Sequence, residues 1–250
     1  MLDILKIIFC MPFLIYSCYS DIKTRRVSNN VWLVMLAGGI FFVLYDILTY
    51  GAAYLPRLLI SAGFIFVFVY ILFQFGIFGG ADAKSLIVLS IILPAYPKLQ
   101  AFSHTFPLNK PIIDLFAFGI FGNAVLLTIV VPVGLALYNI TKMGLHIDNP
   151  LYIFIGYRAK ISELANKHIK LIQNFEVVNG EVKFRFKRGG VEIDEKVISG
   201  LKALSEKGLV KEEVWVTPGL PFMIPITLGF FVAVFYGDLI FELTKYLILN

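Results

Sequence analysis

Two aspartates, Asp21 and Asp82, stand where apolar segments of the chain end or begin, and they carry the most distinctive chemistry in the sequence. Two carboxyl groups within a few ångströms of each other do not ionise together easily, so one keeps a proton while the other acts as a base. The base can take a proton from a water that attacks a peptide carbonyl, and the acid can protonate the carbonyl oxygen and assist the departing amine. The pair therefore predicts peptide-bond hydrolysis. Because the two groups would titrate as one unit, the sequence leaves open which of them is the base.

The apolar composition of the chain indicates where these aspartates lie. Of its 250 residues, 58% are hydrophobic, which is more than a soluble domain of this length buries. Several apolar runs approach the roughly 20 residues that a membrane-crossing helix needs, and they lack the alternation of a β-barrel. We predict a polytopic α-helical protein of the plasma membrane, with about six transmembrane helices and a small cytosolic α+β insertion. The predicted helices cover residues 4–20, 31–50, 57–77, 82–97, 111–139 and 219–247.

The polar insertion before the last helix has a pattern of its own. Residues 157–173 have the spacing of an amphipathic helix, and Asn179-Gly180 between two β-rich runs predicts a hairpin. Asp194 is placed to cap a helix running to about residue 207, and residues 214–216 predict a further strand. The predicted domains are the first five helices with both aspartates, the insertion, and the last helix, which cover residues 1–143, 144–218 and 219–250.

The basic residues predict the orientation in the membrane. Cytosolic loops carry an excess of lysine and arginine. If the basic loop after Asp21 is cytosolic, the insertion lies on the same side, together with most of the 22 basic residues. The basic residues left on the outer side are Lys6, Arg57, Lys98, Lys110 and Lys245. We therefore expect both termini outside and residues 144–218 in the cytosol. The net charge of +5 reports this topology, and we expect the lipid bilayer and no nucleic acid as a partner.

In this topology Asp21 and Asp82 share the cytosolic edge of the membrane, whereas the other acids fall near the outer face or in the insertion. Each aspartate also has a simpler explanation. Asp21 could form a surface ion pair with the basic residues that follow it, and Asp82 could cap the N-terminus of its helix, where an anion is favoured. Their shared position favours a functional role for both.

Three segments resemble a known family. Asp21-Ile-Lys-Thr-Arg-Arg-Val-Ser-Asn29 resembles the first aspartate motif of type IV prepilin peptidases. Gly79-Gly-Ala-Asp82-Ala-Lys84 resembles the second motif, the GxGD of membrane aspartyl proteases, and Pro221-Phe-Met-Ile-Pro225 is similar to a proline-containing element near the C-terminus of that family. Because of the insertion before the last helix, the chain resembles the archaeal branch of this family, the preflagellin (prearchaellin) peptidases.

The resemblance implies catalytic roles for Asp21 and Asp82, without a metal or another cofactor. It assigns motif and loop support to Arg25, Arg26, Asn29, Gly79, Gly80, Ala81, Lys84, Pro221 and Pro225. Ala81 stands where the motif has its second glycine, and the archaeal branch accepts a small residue there. The cysteine-rich region of the bacterial enzymes is absent from this sequence, so we expect no methyltransferase activity. The glycines before Asp82 allow a tight turn and close backbone approach, and they leave open whether the aspartates meet or stand apart without substrate.

The resemblance also implies the substrate, a preflagellin or prepilin-like precursor with a short basic leader that is removed at the cytosolic surface of the membrane. The basic cytosolic face of the protein should repel such a leader. A local set of acids could receive the leader or could simply be a solvated surface, and its members are Asp148, Glu192, Asp194 and Glu195.

Three alternatives remain. A presenilin-like protease that cuts within membrane helices shares the second motif, but the basic loop after Asp21 and the position at the membrane edge favour leader removal. A proton- or ion-coupled transporter would carry acids near the midplane and often an inverted repeat, and neither is evident. The third alternative is a membrane scaffold whose insertion recruits a partner.

Overall fold

The structure is a computed structural model that describes residues 2–101, 104–109, 111–144, 149–165, 169–178, 181–219 and 221–249. Its helices are α1 Leu2–Thr24, α2 Asn29–Tyr50, α3 Tyr54–Gln74, α4 Gly80–Ile92, α5 Phe116–Thr128, α6 Val130–Met143, α7 Glu195–Glu206, α8 Met223–Phe235 and α9 Leu239–Leu249. Its strands are β1 Leu99–Ala101, β2 His104–Phe106, β3 Tyr157–Lys160, β4 Ile169–Val178, β5 Glu181–Glu192 and β6 Glu213–Pro218. The chain divides into two compact units, residues 1–128 with 221–250, and residues 129–220.

The long apolar helices identify a membrane protein. Within the described residues, three segments are long and apolar enough to cross a membrane, namely Leu2–Thr24, Asn29–Gln74 and Phe116–Met143. A fourth is added if Met223–Phe235 and Leu239–Ile248, which are bent by 69° at their junction, form one span. This number is below the six that the sequence predicts for two reasons. First, the 46 residues of Asn29–Gln74, which contain both α2 and α3, are counted as one segment. Second, the 13 residues of α4 extend only about 20 Å, whereas the hydrocarbon core of a membrane is about 30 Å thick.

Contacts with α4 show that Asn29–Gln74 folds back on itself. Lys84 in the first turn of α4 bonds Asn29 in the first turn of α2, and Gly39 further along α2 packs against the side chain of Ile92 at the end of α4. These two helices therefore run in the same direction. In α3, Ser61 near the start donates to the carbonyl of Ser90 near the end of α4, so α3 runs in the opposite direction. The reversal falls at residues 51–53, a short 3₁₀ turn that begins with a glycine at positive φ.

The first unit has a single apolar core around α4. This helix packs against α2, α3, α5 and α8, which explains why its sequence is apolar on most faces. Leu86 and Leu89 of α4, Phe116 and Ile120 of α5 and Phe230 of α8 are all fully buried in that core. The central position of α4 holds its N-terminal residues, among them Asp82, inside the helix bundle.

Two predicted helices are interrupted in the structure. The predicted helix 111–139 begins only at residue 116 and breaks at residue 129, between α5 and α6. Pro132 lies in the first turn of α6, where its missing N–H leaves the carbonyl of Thr128 without a helical partner. The predicted last helix is divided into α8 and α9 around Gly237, whose φ is 116°.

The second unit contains a four-stranded antiparallel sheet with the order β3-β6-β4-β5, and its apolar core includes Leu201 of α7. The helix predicted at 157–173 is wrong, because β3, a 3₁₀ turn and the start of β4 lie in the described part of that segment, residues 157–165 and 169–173. Its buried residues Ile161, Leu164 and Leu171 imitate helical spacing, but they face the core of the sheet. Pairing with β6 prevails here over the local helical pattern.

The strands and the helix cap predicted for the insertion are confirmed. The strand predicted at 214–216 lies within β6, and the strands predicted on both sides of the hairpin pair as β4 and β5. The turn residues Asn179-Gly180 lie outside the described residues. Asp194 caps α7, since its Oδ1 accepts the N–H of Val197 at 2.7 Å. Asp148, another acid of the suggested receptive set, also lies outside the described residues.

Candidate active site

Asp21 lies in the last turns of α1, on the helix face that the core covers. The buried positions Ile7, Cys10, Leu14 and Ser17 recur every three or four residues, and Asp21 continues the same stripe. Its Oδ2 accepts the N–H of Met223, the first residue of α8, at 3.3 Å. The free N–H groups at a helix start favour a carboxylate. Asp21 forms no ion pair with Lys23, Arg25 or Arg26 among the described residues, which counts against the surface-pair explanation.

Asp82 lies in the first turn of α4 and is 8% exposed. Its Oδ2 accepts the N–H of Gly79 at 3.2 Å, which is the contact by which an acid at this position closes a helix start. The capping role considered for Asp82 is therefore present. It occupies one carboxylate oxygen and leaves the other for a second role.

The structure brings Asp21 and Asp82 to the same end of the bundle. The end of α1 meets the start of α8 through Asp21 and Met223, and the ring of Phe222 before α8 packs against Phe78 in the loop that leads to α4. Each uses Oδ2 for one backbone N–H, and within the described chain neither Oδ1 has a hydrogen-bond partner in the protein. Each carboxyl group therefore keeps one oxygen open at this end of the bundle, and the two groups come from different helices.

The three glycines before Asp82 differ in backbone angle and in the space around them. Gly76 has a φ of 66°, which only glycine adopts readily. A Cβ on Gly79 would lie 2.9 Å from Oδ2 of Asp82, so a side chain at this position would displace either the Asp82 carboxyl group or the loop. A Cβ on Gly80 would meet only the ring of Phe73, at 4.0 Å. The partly buried Ala81 follows directly.

A hydrogen bond joins the first two motifs. Lys84, two residues after Asp82, donates from Nζ to Oδ1 of Asn29 at 2.6 Å. Asn29 opens α2, whose N-cap is Ser28, with Oγ accepting the N–H of Asn30. The loop after Asp21 is thereby tied to the helix that carries Asp82.

Arg25 and Arg26 shape the end of α1. Arg25 has a φ of 55°, unusual for a residue with a side chain, and its N–H bonds the carbonyl of Asp21 at 3.0 Å. The Nε and Nη1 atoms of Arg25 are buried and have no partner among the described residues. The carbonyl of Arg26 accepts hydrogen bonds from Ser20 and Thr24. The structure places both arginines in the turn and brings neither guanidinium to Asp21 as an ion-pair partner.

The third motif starts α8. Pro225 occupies the third position of this helix, where a missing N–H leaves no helical bond unmade, and Pro221 precedes the N-cap residue Phe222. The ring of Phe222 stacks edge-on against Phe78, with ring centroids 5.2 Å apart. The prolines thus set the first turn of α8 beside the loop that leads to Asp82.

Sequence reasoning missed Cys18, Met223 and Thr227. The Sγ of Cys18 donates to the carbonyl of Met223 at 3.3 Å and lies at hydrogen-bond distance, 3.0 Å, from Oγ1 of Thr227. The available signal was its position three residues before Asp21 on the same helix face, together with a hydroxyl residue in an otherwise apolar helix.

Comparisons with known proteins cover most of the chain. Residues 8–133 match the type IV leader peptidase family, and residues 148–239 match a family described as archaeal peptidase A24 C-terminus type II. Among curated relatives, the preflagellin peptidase of Methanococcus voltae is 29% identical over 92% of this chain and 94% of its own. The preflagellin peptidases of Methanococcus maripaludis and Methanocaldococcus jannaschii are 27% and 24% identical, over 92% and 93% of this chain and 94% and 93% of their own.

Proposed function

The chain belongs to the type IV leader peptidase family, and from this premise we propose that it is a membrane aspartyl endopeptidase of the preflagellin peptidase branch. Its relatives over more than nine tenths of the chain are named preflagellin peptidases. The proposed substrates are preflagellin or prepilin-like precursors with a short basic leader. The observation that carries the proposal is the position of Asp21 and Asp82 at one end of the helix bundle, each with one oxygen held by a backbone N–H.

The proposed reaction uses both carboxyl groups and one water. The ionised carboxylate takes a proton from the water while the oxygen of that water bonds to the scissile carbonyl carbon. The protonated carboxyl group stabilises the carbonyl oxygen of the resulting tetrahedral intermediate by a hydrogen bond. When the intermediate collapses, the C–N bond breaks and the amine leaves with a proton from the pair. The water has then been divided between the new carboxyl and amino termini.

The helix directions support the proposed topology. α1 ends at the same side as the starts of α2, α4 and α8, where both aspartates lie. If this side is the cytosol, six passes place both termini outside and residues 144–218 inside, with the short α4 crossing at the centre of the bundle. The division into residues 1–143, 144–218 and 219–250 belongs to this proposal. A substrate with its leader in the cytosol and its apolar helix in the membrane would present the scissile bond at the level of the two aspartates.

Leader removal is tested with the full-length, detergent-solubilised protein and a preflagellin that carries its leader. The wild type is expected to release the leader, and Asp21→Asn and Asp82→Asn are each expected to abolish release because either change removes one member of the pair. Thermal unfolding in the same detergent is the control for folding. Full activity in either variant would rule out the dyad. Cleavage that persists with a metal chelator is expected, and its loss would point to a metalloprotease.

A further inference from the structure

The backbone of Met223 is held on both sides by side chains of α1. Its N–H donates to Oδ2 of Asp21 at 3.3 Å, and its carbonyl accepts from Sγ of Cys18 at 3.3 Å. The same thiol lies 3.0 Å from Oγ1 of Thr227. We call Cys18, Thr227 and the backbone of Met223 the α1–α8 clamp.

The spacing of these residues explains why the contacts occur together. Cys18 and Asp21 are three residues apart on α1, and Met223 and Thr227 are four apart on α8, so each pair shares a helix face. Met223 is fully buried and Thr227 is 7% exposed. On the α8 side the clamp therefore lies in the apolar core, and Cys18 is partly buried against that core, so water has limited access to these hydrogen bonds.

The clamp joins the start of α8 to Asp21 more firmly than the single bond to the carboxylate could. One N–H at 3.3 Å leaves both partners free to shift, because α1 ends only a few residues later at Thr24 and α8 begins at Met223 itself. The bonds from Cys18 fix the register of the two helices one turn deeper in the core. We propose that Cys18 and Thr227 are positioning residues. They keep the N–H of Met223 in its hydrogen bond to Asp21, and so direct the free carboxyl oxygen of Asp21 toward Asp82.

The catalytic part of this inference rests on the proposed function. Misplacement of a catalytic group by about 1 Å can reduce a rate by about 10²-fold. Loss of the clamp should therefore lower kcat, by about tenfold if the displacement is partial, and leave KM unchanged because neither side chain is proposed to contact substrate.

The kinetic test compares variants that keep or remove each polar atom. Thr227→Val removes the hydroxyl at nearly constant volume, and Thr227→Ser retains it. Cys18→Ala removes the thiol, and Cys10→Ala is the matched control, since Cys10 is fully buried on the same helix and its Sγ has no hydrogen bond within the described residues. We expect a lower kcat in Thr227→Val and Cys18→Ala, recovery in Thr227→Ser, and a much smaller change in Cys10→Ala. Equal kcat in Thr227→Val and Thr227→Ser would overturn the inference, and so would equal losses in the two cysteine variants.

Hydrogen exchange of the full chain in detergent provides a readout that is independent of activity. We expect faster amide exchange at residues 223, 224, 226 and 227 in Thr227→Val and Cys18→Ala than in the wild type, with α3 unchanged. Unchanged exchange at 223–227 would contradict the clamp. If the wild type releases no leader but the exchange difference is present, the proposed function fails while the clamp stands as a contact, so the two failures can be told apart.

Discussion

The N–H of Gly79 donates to Oδ2 of Asp82 at 3.2 Å, and the approach is so close that a Cβ on residue 79 would lie 2.9 Å from that oxygen. A contact of that length forces either the loop or the carboxyl group to move. Gly80, the next residue, has no such restriction, because its added Cβ would meet only a ring carbon of Phe73 at 4.0 Å. The contact with Asp82 therefore explains why residue 79 is a glycine, whereas no contact of this kind restricts residue 80.

We expect Gly79→Ala to reduce leader cleavage strongly, by about tenfold or more, because it displaces the Asp82 carboxyl group. Gly80→Ala is the matched control and should have a much smaller effect, since its methyl group enters open space at a helix start. The measurement is kcat for the two variants and the wild type in one detergent, with thermal unfolding as the folding control. Similar losses in both variants would show that the contact with Asp82 is not what requires glycine.

Local sequence patterns predicted that Asp21 and Asp82 lie at helix ends, but they did not predict Cys18, Met223 and Thr227 or the contacts among these residues. Asp21, Gly79 and Asp82 each stand in short motifs next to apolar runs, so their positions at helix ends follow from periodicity alone. The bond between Cys18 and Thr227 joins residues 209 positions apart. Nothing in either local pattern specifies such a pairing, which depends on how α1 and α8 pack.

The errors in the fold have equally specific causes. Residues 157–173 have helical spacing of apolar side chains, but the partner strand β6 lies more than 40 residues later, and only its presence selects a strand. In the last apolar run, Gly237 looks compatible with a continuous helix, yet its φ of 116° ends α8 and allows the bend before α9. In both segments a tertiary feature decided between conformations that the local sequence permits.

Asp194 should stabilise the insertion as a helix cap. Its Oδ1 accepts the N–H of Val197 at 2.7 Å, and loss of such a cap costs about 1 kcal/mol. We expect Asp194→Ala to speed amide exchange in α7, whereas Asp194→Asn should preserve protection because asparagine is an equally good cap. Exchange measured on the full chain in detergent distinguishes the two. Equal destabilisation by both changes would assign the stability to the charge of Asp194 rather than to the cap.

The ion pair between Lys6 and Asp46 should be a stability determinant far from the candidate site. Lys6 on α1 and Asp46 on α2 are each 3% exposed, and their side chains are in direct contact. Removal of one partner from a buried pair typically costs about 3–5 kcal/mol because the other charge is left uncompensated.

We therefore expect Asp46→Ala and Lys6→Met each to lower the thermal midpoint in detergent by several degrees. The double replacement Lys6→Met with Asp46→Leu should recover much of the loss, since it leaves no buried charge. A double variant as unstable as the sum of the two single variants would show that the residues do not act as a pair.

The contact between Lys84 and Asn29 should couple the two aspartate motifs. The bond is 2.6 Å long and joins the helix of Asp82 to the loop that follows Asp21. Since a hydrogen bond of this kind contributes about 0.5–1.5 kcal/mol, Lys84→Ala and Asn29→Ala should each lower kcat/KM a few-fold. The double variant should lose little more than either single one, because both remove the same contact. Lys23→Ala is the control for charge, as Lys23 lies in the last turn of α1 beside this loop and, within the described residues, its Nζ bonds the hydroxyl of Tyr19. Additive losses in the double variant, or an equal loss in Lys23→Ala, would show that the positive charge at this membrane edge matters and the bond does not.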